Sequence, residues 1–111
     1  MVSWNNLDTL SSYKELADVK PACLTEVMSG DNGAERVKNY SIPMAAGLSY
    51  NYASKQVDEN VLAALEKLAD EAQLADKFKA LYNGEVVNTG EKRLVLHHMT
   101  RGQLGDAVEA D

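Results

Sequence analysis

The chain has 111 residues, of which 45% are apolar and 25% charged, as is typical of one ordinary globular domain. Eleven basic residues against seventeen acidic ones give a net charge of -6, which repels phosphate backbones and argues against nucleic-acid binding. A single cysteine, Cys23, excludes an internal disulfide and favours a reducing, cytoplasmic location. We expect neither a membrane span nor a signal peptide, because no long apolar run or basic leader is visible.

Helical spacing dominates residues 1–38. Apolar residues recur three or four positions apart from Trp4 to Ala17, which predicts one amphipathic helix. It should end near Lys20, because Pro21 restricts the residue before it. One or two further helical turns are predicted at residues 24–28, ended by the turn-rich run from Gly30 to Gly33.

The apolar period then changes from helical spacing to simple alternation, over residues 39–53. Alternating aromatic and branched residues at 40–44 and 48–52 predict two short strands, turned at residues 45–47. Pro43 cannot donate a ladder hydrogen bond, so its strand should lie at an edge. Because a lone hairpin is marginal in water, we expect this one to rest on a helix.

Helical spacing returns over residues 58–101. Asp58 is the expected N-cap of a helix that buries Val61, Leu62, Leu65, Leu68, Ala69 and Ala72. A second helix should point Leu74, Phe78, Leu81 and Tyr82 inward and end at Asn83-Gly84. Asn88 and Glu91 have capping-box spacing, which predicts a last helix through Met99. Residues 102–111 read as a loose tail, so the predicted fold class is a small, mostly α domain with one short β-hairpin.

Few residues suggest chemistry. His97 and His98 point about a hundred degrees apart on a helix, so we expect one packed and one exposed histidine rather than a metal site. Arg93 and Arg101 could share a helix face toward an anion, but solvated arginines or a pair with Glu91 explain them more simply. Cys23 lacks the neighbours of a nucleophile. We therefore predict no catalytic, cofactor-binding or metal-binding residue in this chain.

The segment from Gly84 to Arg101 carries a family resemblance. It resembles the glucose-6-phosphate isomerase pattern G-E-x-I-N-x-T-E-x-R-x-V-L-H-x-A-L-R, with matches at Gly84, Glu85, Asn88, Glu91, Arg93, Val95, Leu96, His97 and Arg101. Residues 51–62 are similar to the family's D-Y-S-K-N-R-I-T-E-E-T-L, with identities at Tyr52, Glu59 and Leu62. Gly90 departs from the usual Thr, and Met99-Thr100 from Ala-Leu.

The resemblance implies that residues 1–111 are the amino-terminal helical segment of a sugar-isomerase-type αβα enzyme without a cofactor. Such enzymes interconvert glucose 6-phosphate and fructose 6-phosphate in glycolysis and gluconeogenesis. Their carboxylate base, ring-opening acid and phosphate cradle lie in catalytic domains that follow this segment. The implied partners are the remainder of the isomerase chain and its dimer mate. His97 would serve packing or hydrogen bonding.

Two other functions stay open from the residues alone. A stand-alone helical module could bind a sugar phosphate through Arg93 and Arg101, or bind a protein partner. A small acid–base enzyme could use His97 or His98. If the chain is instead a segment of the larger isomerase, the isolated chain should be inactive and should expose apolar surface that favours self-association.

Overall fold

The computed structural model describes residues 2–101, and within that range it contains five α-helices and one β-hairpin. The helices are α1 (Ser11–Asp18), α2 (Leu24–Val27), α3 (Gly30–Asn39), α4 (Glu59–Glu71) and α5 (Leu74–Tyr82). The strands are β1 (Ser41–Pro43) and β2 (Ser49–Asn51), and short 3-10 turns cover Leu7–Thr9, Ala45–Gly47 and His97–Arg101. The mostly helical fold class with one hairpin is confirmed.

The predicted first helix is shorter than its apolar pattern suggests. Residues Leu7–Thr9 form a separate 3-10 turn, closed by hydrogen bonds from Thr9 N and Oγ1 to the Asn6 carbonyl. Leu10 is extended, with φ -83° and ψ 143°, so α1 starts afresh at Ser11. The predicted end is confirmed, because α1 finishes at Asp18, ahead of Pro21.

The predicted stop between Gly30 and Gly33 is wrong. Gly30 does break the backbone, with φ +59°, but α3 begins there and runs through Asp31 and Asn32 to Asn39. Gly33 allows α2 and α3 to pack tightly, because a Cβ at this position would lie 2.3 Å from the Met28 carbonyl oxygen. The turn preference of these residues therefore does not decide their conformation.

The predicted hairpin forms, with its turn at residues 45–47. β1 and β2 are antiparallel, with Ile42 opposite Tyr50 and Pro43 opposite Ser49. The turn uses left-handed conformations at Ala46 and Gly47, with φ of 60° and 73°. The strand residues are exposed, and the hairpin is attached to α3 through Asn51, whose Nδ2 donates to the Val37 carbonyl at 2.7 Å.

Both predicted caps of the later helices are confirmed. Asp58 accepts a hydrogen bond from Val61 N at 2.9 Å and so caps α4. Gly84 has φ 75° after α5, and the amides of Gly84 and Glu85 donate to the carbonyls of Leu81 and Ala80. This paired arrangement is the Schellman motif, which satisfies carbonyls left over at the end of a helix.

The predicted last helix from Asn88 is wrong. Asn88 Oδ1 does accept from Glu91 N at 3.2 Å, as in a capping box, but Lys92 then adopts φ 54°. The chain turns back, and Asn88 and Arg93 pair as an isolated antiparallel bridge. The capping contact therefore closes a turn, and only the short His97–Arg101 segment is helical. The predicted tail at residues 102–111 lies outside the described residues.

The buried core consists of small side chains. The buried apolar residues are Ala22, Ala53, Val61, Ala72 and Ala80. Leu74 and Phe78, predicted to point inward, are 60% and 61% exposed, so that prediction is wrong. The accessible surface is 8730 Å², against roughly 6,000 Å² for a compact monomer of this mass. The radius of gyration, 18.2 Å, likewise exceeds the roughly 13 Å of a compact chain of this length.

Candidate functional site

Arg36, on α3, donates three hydrogen bonds to backbone carbonyls of a distant segment. Its side chain is buried, with only 8% relative exposure. Nε donates to the Ala53 carbonyl at 2.8 Å, and Nη2 donates to the carbonyls of Lys55 and Val57 at 2.9 and 2.6 Å. The guanidinium therefore fixes the segment between β2 and α4 against α3, and we call this arrangement the Arg36 clamp.

Aromatic rings extend the Arg36 clamp to the hairpin and to α4. The guanidinium lies 4.3 Å from the centre of the Tyr40 ring, which stacks on Tyr52 with centroids 4.8 Å apart. The Tyr40 hydroxyl donates to Glu59 Oε1 at 3.2 Å. Desolvation, reinforced by the hydrogen bond to Glu59, raises the pKa of the Tyr40 hydroxyl. The contacts thus join α3, the hairpin and the start of α4.

A second polar cluster joins α1 to α4. The Glu71 carboxylate accepts hydrogen bonds from Ser12 N at 2.7 Å, Ser11 N at 3.3 Å and Ser11 Oγ at 3.0 Å. These amides are among the first N–H groups of α1, which have no partner within their own helix. Hydrogen bonds from Ser12, and then from Ser11, lower the pKa of the Glu71 carboxyl to about 2. Glu71 therefore caps a helix distant in sequence.

The two histidines lie in different surroundings, as predicted. His97 is exposed, whereas His98 is half-buried and stacks on Tyr82 with ring centroids 4.4 Å apart. Among residues 2–101, neither ring nitrogen of His98, both buried, has a hydrogen-bond partner. His98 is thus the packed histidine, and the carbonyl of the family-typical His97 accepts a hydrogen bond from Thr100 Oγ1 at 2.8 Å.

Arg93 and Arg101 do not share a helix face, because the predicted helix between them does not form. Arg93 lies in the bridge that follows α5, with its Nη1 3.8 Å from Glu91 Oε2 on the surface. Arg101 ends the short 3-10 segment and is exposed. Cys23 is an exposed free thiol. Within residues 2–101, no group of three or more acidic, histidine or cysteine side chains is placed to hold a metal ion.

Arg36 and Glu71 are the two residues that the sequence reasoning missed. Arg36 lies on an α3 that was not predicted, and Glu71 lies at the end of α4, where the sequence pattern assigned it no contact. One signal could have indicated Glu71: α1 starts at Ser11 after an apolar Leu10, which supplies no side-chain cap. A helix start without its own cap needs an acceptor from elsewhere.

The described structure also carries an exposed apolar surface along α4, which we call the α4 face. It consists of two adjoining open grooves of about 260 and 520 Å³ that share Leu62 and Leu65. The first groove extends to the hairpin at Ile42 and Tyr50, and the second extends to Leu7 and Leu74. A continuous apolar surface of this kind marks an interface rather than a site for reactants.

No helix among the described residues is long and apolar enough to cross a bilayer. The described structure thus contains two features: polar clusters at Arg36 and Glu71 that hold its own elements together, and an apolar α4 face that no described element covers.

Residues 51–111 match the family model described as Phosphoglucose isomerase. A glucose-6-phosphate isomerase of Treponema denticola is 43% identical over 96% of the chain and 21% of that relative. Those of Treponema pallidum and Borreliella afzelii are 47% and 44% identical, over 90% and 100% of the chain and 19% and 20% of the relatives. The chain spans about a fifth of the length of these relatives, at their amino-terminal end. With more than half of its residues covered by that model, the chain belongs to the phosphoglucose isomerase family.

Proposed function

We propose that the chain is the amino-terminal segment of a glucose-6-phosphate isomerase, which interconverts glucose 6-phosphate and fructose 6-phosphate. Within that enzyme its role is structural: its helices and hairpin support the domains that bind the sugar and move the proton. One observation carries this proposal: glucose-6-phosphate isomerases match nearly the whole chain, and they are about five times longer than it.

The architecture of the described residues supports a structural role. The Arg36 guanidinium and the Glu71 carboxylate form their hydrogen bonds with groups of the same chain, chiefly backbone carbonyls and amides, and so serve to hold its elements together. The exposed leucines and tyrosines of the α4 face need a partner surface that a small core of alanines and one valine cannot provide. Both features suit a segment that acts as part of a larger folded body.

The proposal includes partners and a location. The remainder of the isomerase chain and a dimer mate are the expected partners, and the cytoplasm is the expected compartment. The single exposed cysteine, which has no bridge within the chain, is in keeping with a reducing environment.

A chimeric enzyme tests this function. The chain replaces the matching amino-terminal fifth of the Treponema denticola isomerase, and turnover of fructose 6-phosphate is followed by a coupled dehydrogenase assay. We expect the chimera to retain isomerase activity, because the exchanged segment keeps the fold and supplies no reacting group. The same enzyme without its amino-terminal segment is the control and should lose activity through unfolding.

The isolated chain provides the opposing measurement. Turnover of fructose 6-phosphate by the chain alone, abolished in a His97→Ala/His98→Ala variant, would show a catalytic site in this segment and refute a structural role. Heat of fructose 6-phosphate binding to the chain alone, lost in Arg93→Ala/Arg101→Ala, would instead favour the sugar-phosphate module.

A further inference from the structure

The α4 face is formed by elements that the polar clusters already hold in place. The Arg36 clamp fixes the loop between the hairpin and α4, and Glu71 fixes the start of α1 beside the end of α4. The side chains of the α4 face therefore project from backbone segments that these contacts hold in place. A fixed apolar face loses little conformational freedom when it becomes covered, which favours tight association.

The exposed side chains of this face are large. Ile42 is 51% exposed, Tyr50 48%, Leu65 40% and Leu74 60%. Exposed apolar residues are ordinary when scattered singly, but here they are continuous across the hairpin and α4 through Leu62 and Leu65.

Charge on the α4 face is sparse. Lys55 lines the groove beside the hairpin, and Glu66, next to the central Leu65, lines the groove beside Leu7. The other lining residues are apolar or aromatic. A complementary surface is therefore largely apolar, with an acidic group near Lys55 and a basic group near Glu66.

Resting on the proposed function, we propose that the α4 face is the surface on which the following polypeptide of the same isomerase chain packs. Relatives extend for about four-fifths of their length beyond the matched segment, so a covalently attached partner is present at high effective concentration. A second copy of this chain also offers one basic and one acidic residue, but it lacks the covalent attachment and would have to reach the face by diffusion. The attached polypeptide is therefore the occupant that its length and its high effective concentration favour.

Oxidative footprinting of the full-length chimera tests the assignment. Hydroxyl radicals label exposed side chains, and mass spectrometry gives the labelling rate of each residue in the isolated chain and in the chimera. We expect the rates of Tyr50, Leu65 and Leu74 to fall about fivefold or more in the chimera, as side chains about half exposed become core interface residues. Met28 and Val37, exposed apolar residues outside both grooves, are the matched controls and should keep their rates.

A substitution gives an independent measurement. Leu65→Glu retains a good helix former in α4 but places a carboxylate in the centre of the face. We expect the thermally induced loss of chimera activity to occur at a clearly lower temperature for Leu65→Glu, and to be unchanged for the control Val37→Glu. If Leu65→Glu prevents folding of the chimera, the footprint of the unsubstituted chimera still decides.

Three outcomes separate the alternatives. An active chimera in which Tyr50 and Leu65 keep their labelling rates would overturn this assignment while the proposed function stands. If labelling of the isolated chain falls as its concentration rises, and the chimera shows no additional protection, the α4 face binds a second copy instead. A chimera that folds without activity would contradict the proposed function, whatever the footprint shows.

Discussion

Replacing Arg36 with methionine removes the Arg36 clamp while retaining a long apolar stem. The guanidinium donates three hydrogen bonds to backbone carbonyls from a buried position. Hydrogen bonds from charged groups contribute about 1.5–3 kcal/mol each, and three that share one group are not additive. We therefore expect Arg36→Met to lower the free energy of unfolding by about 3–5 kcal/mol, much of the total for a small domain.

Urea unfolding at low protein concentration, followed by far-UV circular dichroism, measures this loss. With a denaturant slope near 1.5 kcal/mol per molar, the midpoint should fall by about 2 M or more. Arg93→Met is the matched control, because Arg93 is exposed and its pair with Glu91 at 3.8 Å contributes about 0–0.5 kcal/mol. Arg36→Lys should be intermediate, since one ammonium cannot reach three carbonyls in the geometry of a planar fork.

Equal urea midpoints for Arg36→Met and Arg93→Met would show that the hydrogen bonds of Arg36 do not stabilise the fold. That result would mean that water replaces the guanidinium at the carbonyls of Ala53, Lys55 and Val57 without cost. Unchanged amide hydrogen exchange in residues 53–57 of Arg36→Met would support the same conclusion.

Three further predictions concern single positions. The Glu71 carboxyl has a pKa of about 2 in the folded state, against 4.5 ordinarily. The ionised carboxylate therefore stabilises the folded state fully above pH 4.5, and this stabilisation is lost as the pH falls from 4.5 toward 2. Glu71→Gln should flatten the acid limb of a stability-against-pH curve, and an unchanged limb would contradict the capping role. The pKa of the Tyr40 hydroxyl is raised in the folded state, so this hydroxyl loses its proton at lower pH in the unfolded chain. The free energy of unfolding should therefore decline above pH 10. Tyr40→Phe should reduce that decline when unfolding is measured as a function of alkaline pH. Gly33→Ala would place a Cβ 2.3 Å from the Met28 carbonyl oxygen and should destabilise by about 1–3 kcal/mol in urea, although alanine normally favours a helix. Gly90→Ala, whose Cβ would meet its nearest atom at 3.7 Å, is the control; equal stability of the two variants would argue against close packing of α2 and α3.

Local signals in the sequence predicted the elements whose ends are defined by neighbouring residues. Asp58 caps the helix that follows it, Gly84 ends the helix before it, and the alternating residues around Ala45–Gly47 fold back as a hairpin. Each depends on hydrogen bonds between residues no more than ten positions apart, which a sequence pattern can encode.

Two other elements were predicted wrongly although their contacts are also local. The α3 helix contains Gly30, Asp31, Asn32 and Gly33, which favour a turn, yet these residues are helical and Gly33 leaves no room for a Cβ beside the Met28 carbonyl oxygen. The capping pair Asn88 and Glu91 is local and correct, but the backbone after it turns at Lys92 and pairs Asn88 with Arg93.

The candidate site shows the same division. Exposure of apolar residues was expected from the resemblance to part of a larger enzyme, but the pattern assigned Leu74 and Phe78 to the interior. A helical stripe indicates that a surface will be covered; it does not indicate whether the covering element lies in the same segment. Arg36 and Glu71 find their partners 17 to 60 residues away, beyond the reach of any local pattern.

The sequence separations of the two polar clusters also bear on the order in which the segment folds during synthesis. Arg36 reaches carbonyls 17, 19 and 21 residues downstream, so its loop can close soon after residue 57 has left the ribosome. Glu71 must find amides 59 and 60 residues upstream, and closing that longer loop costs about 1 kcal/mol more. The central unit should therefore be native-like on the nascent chain, while the amino-terminal helix docks last.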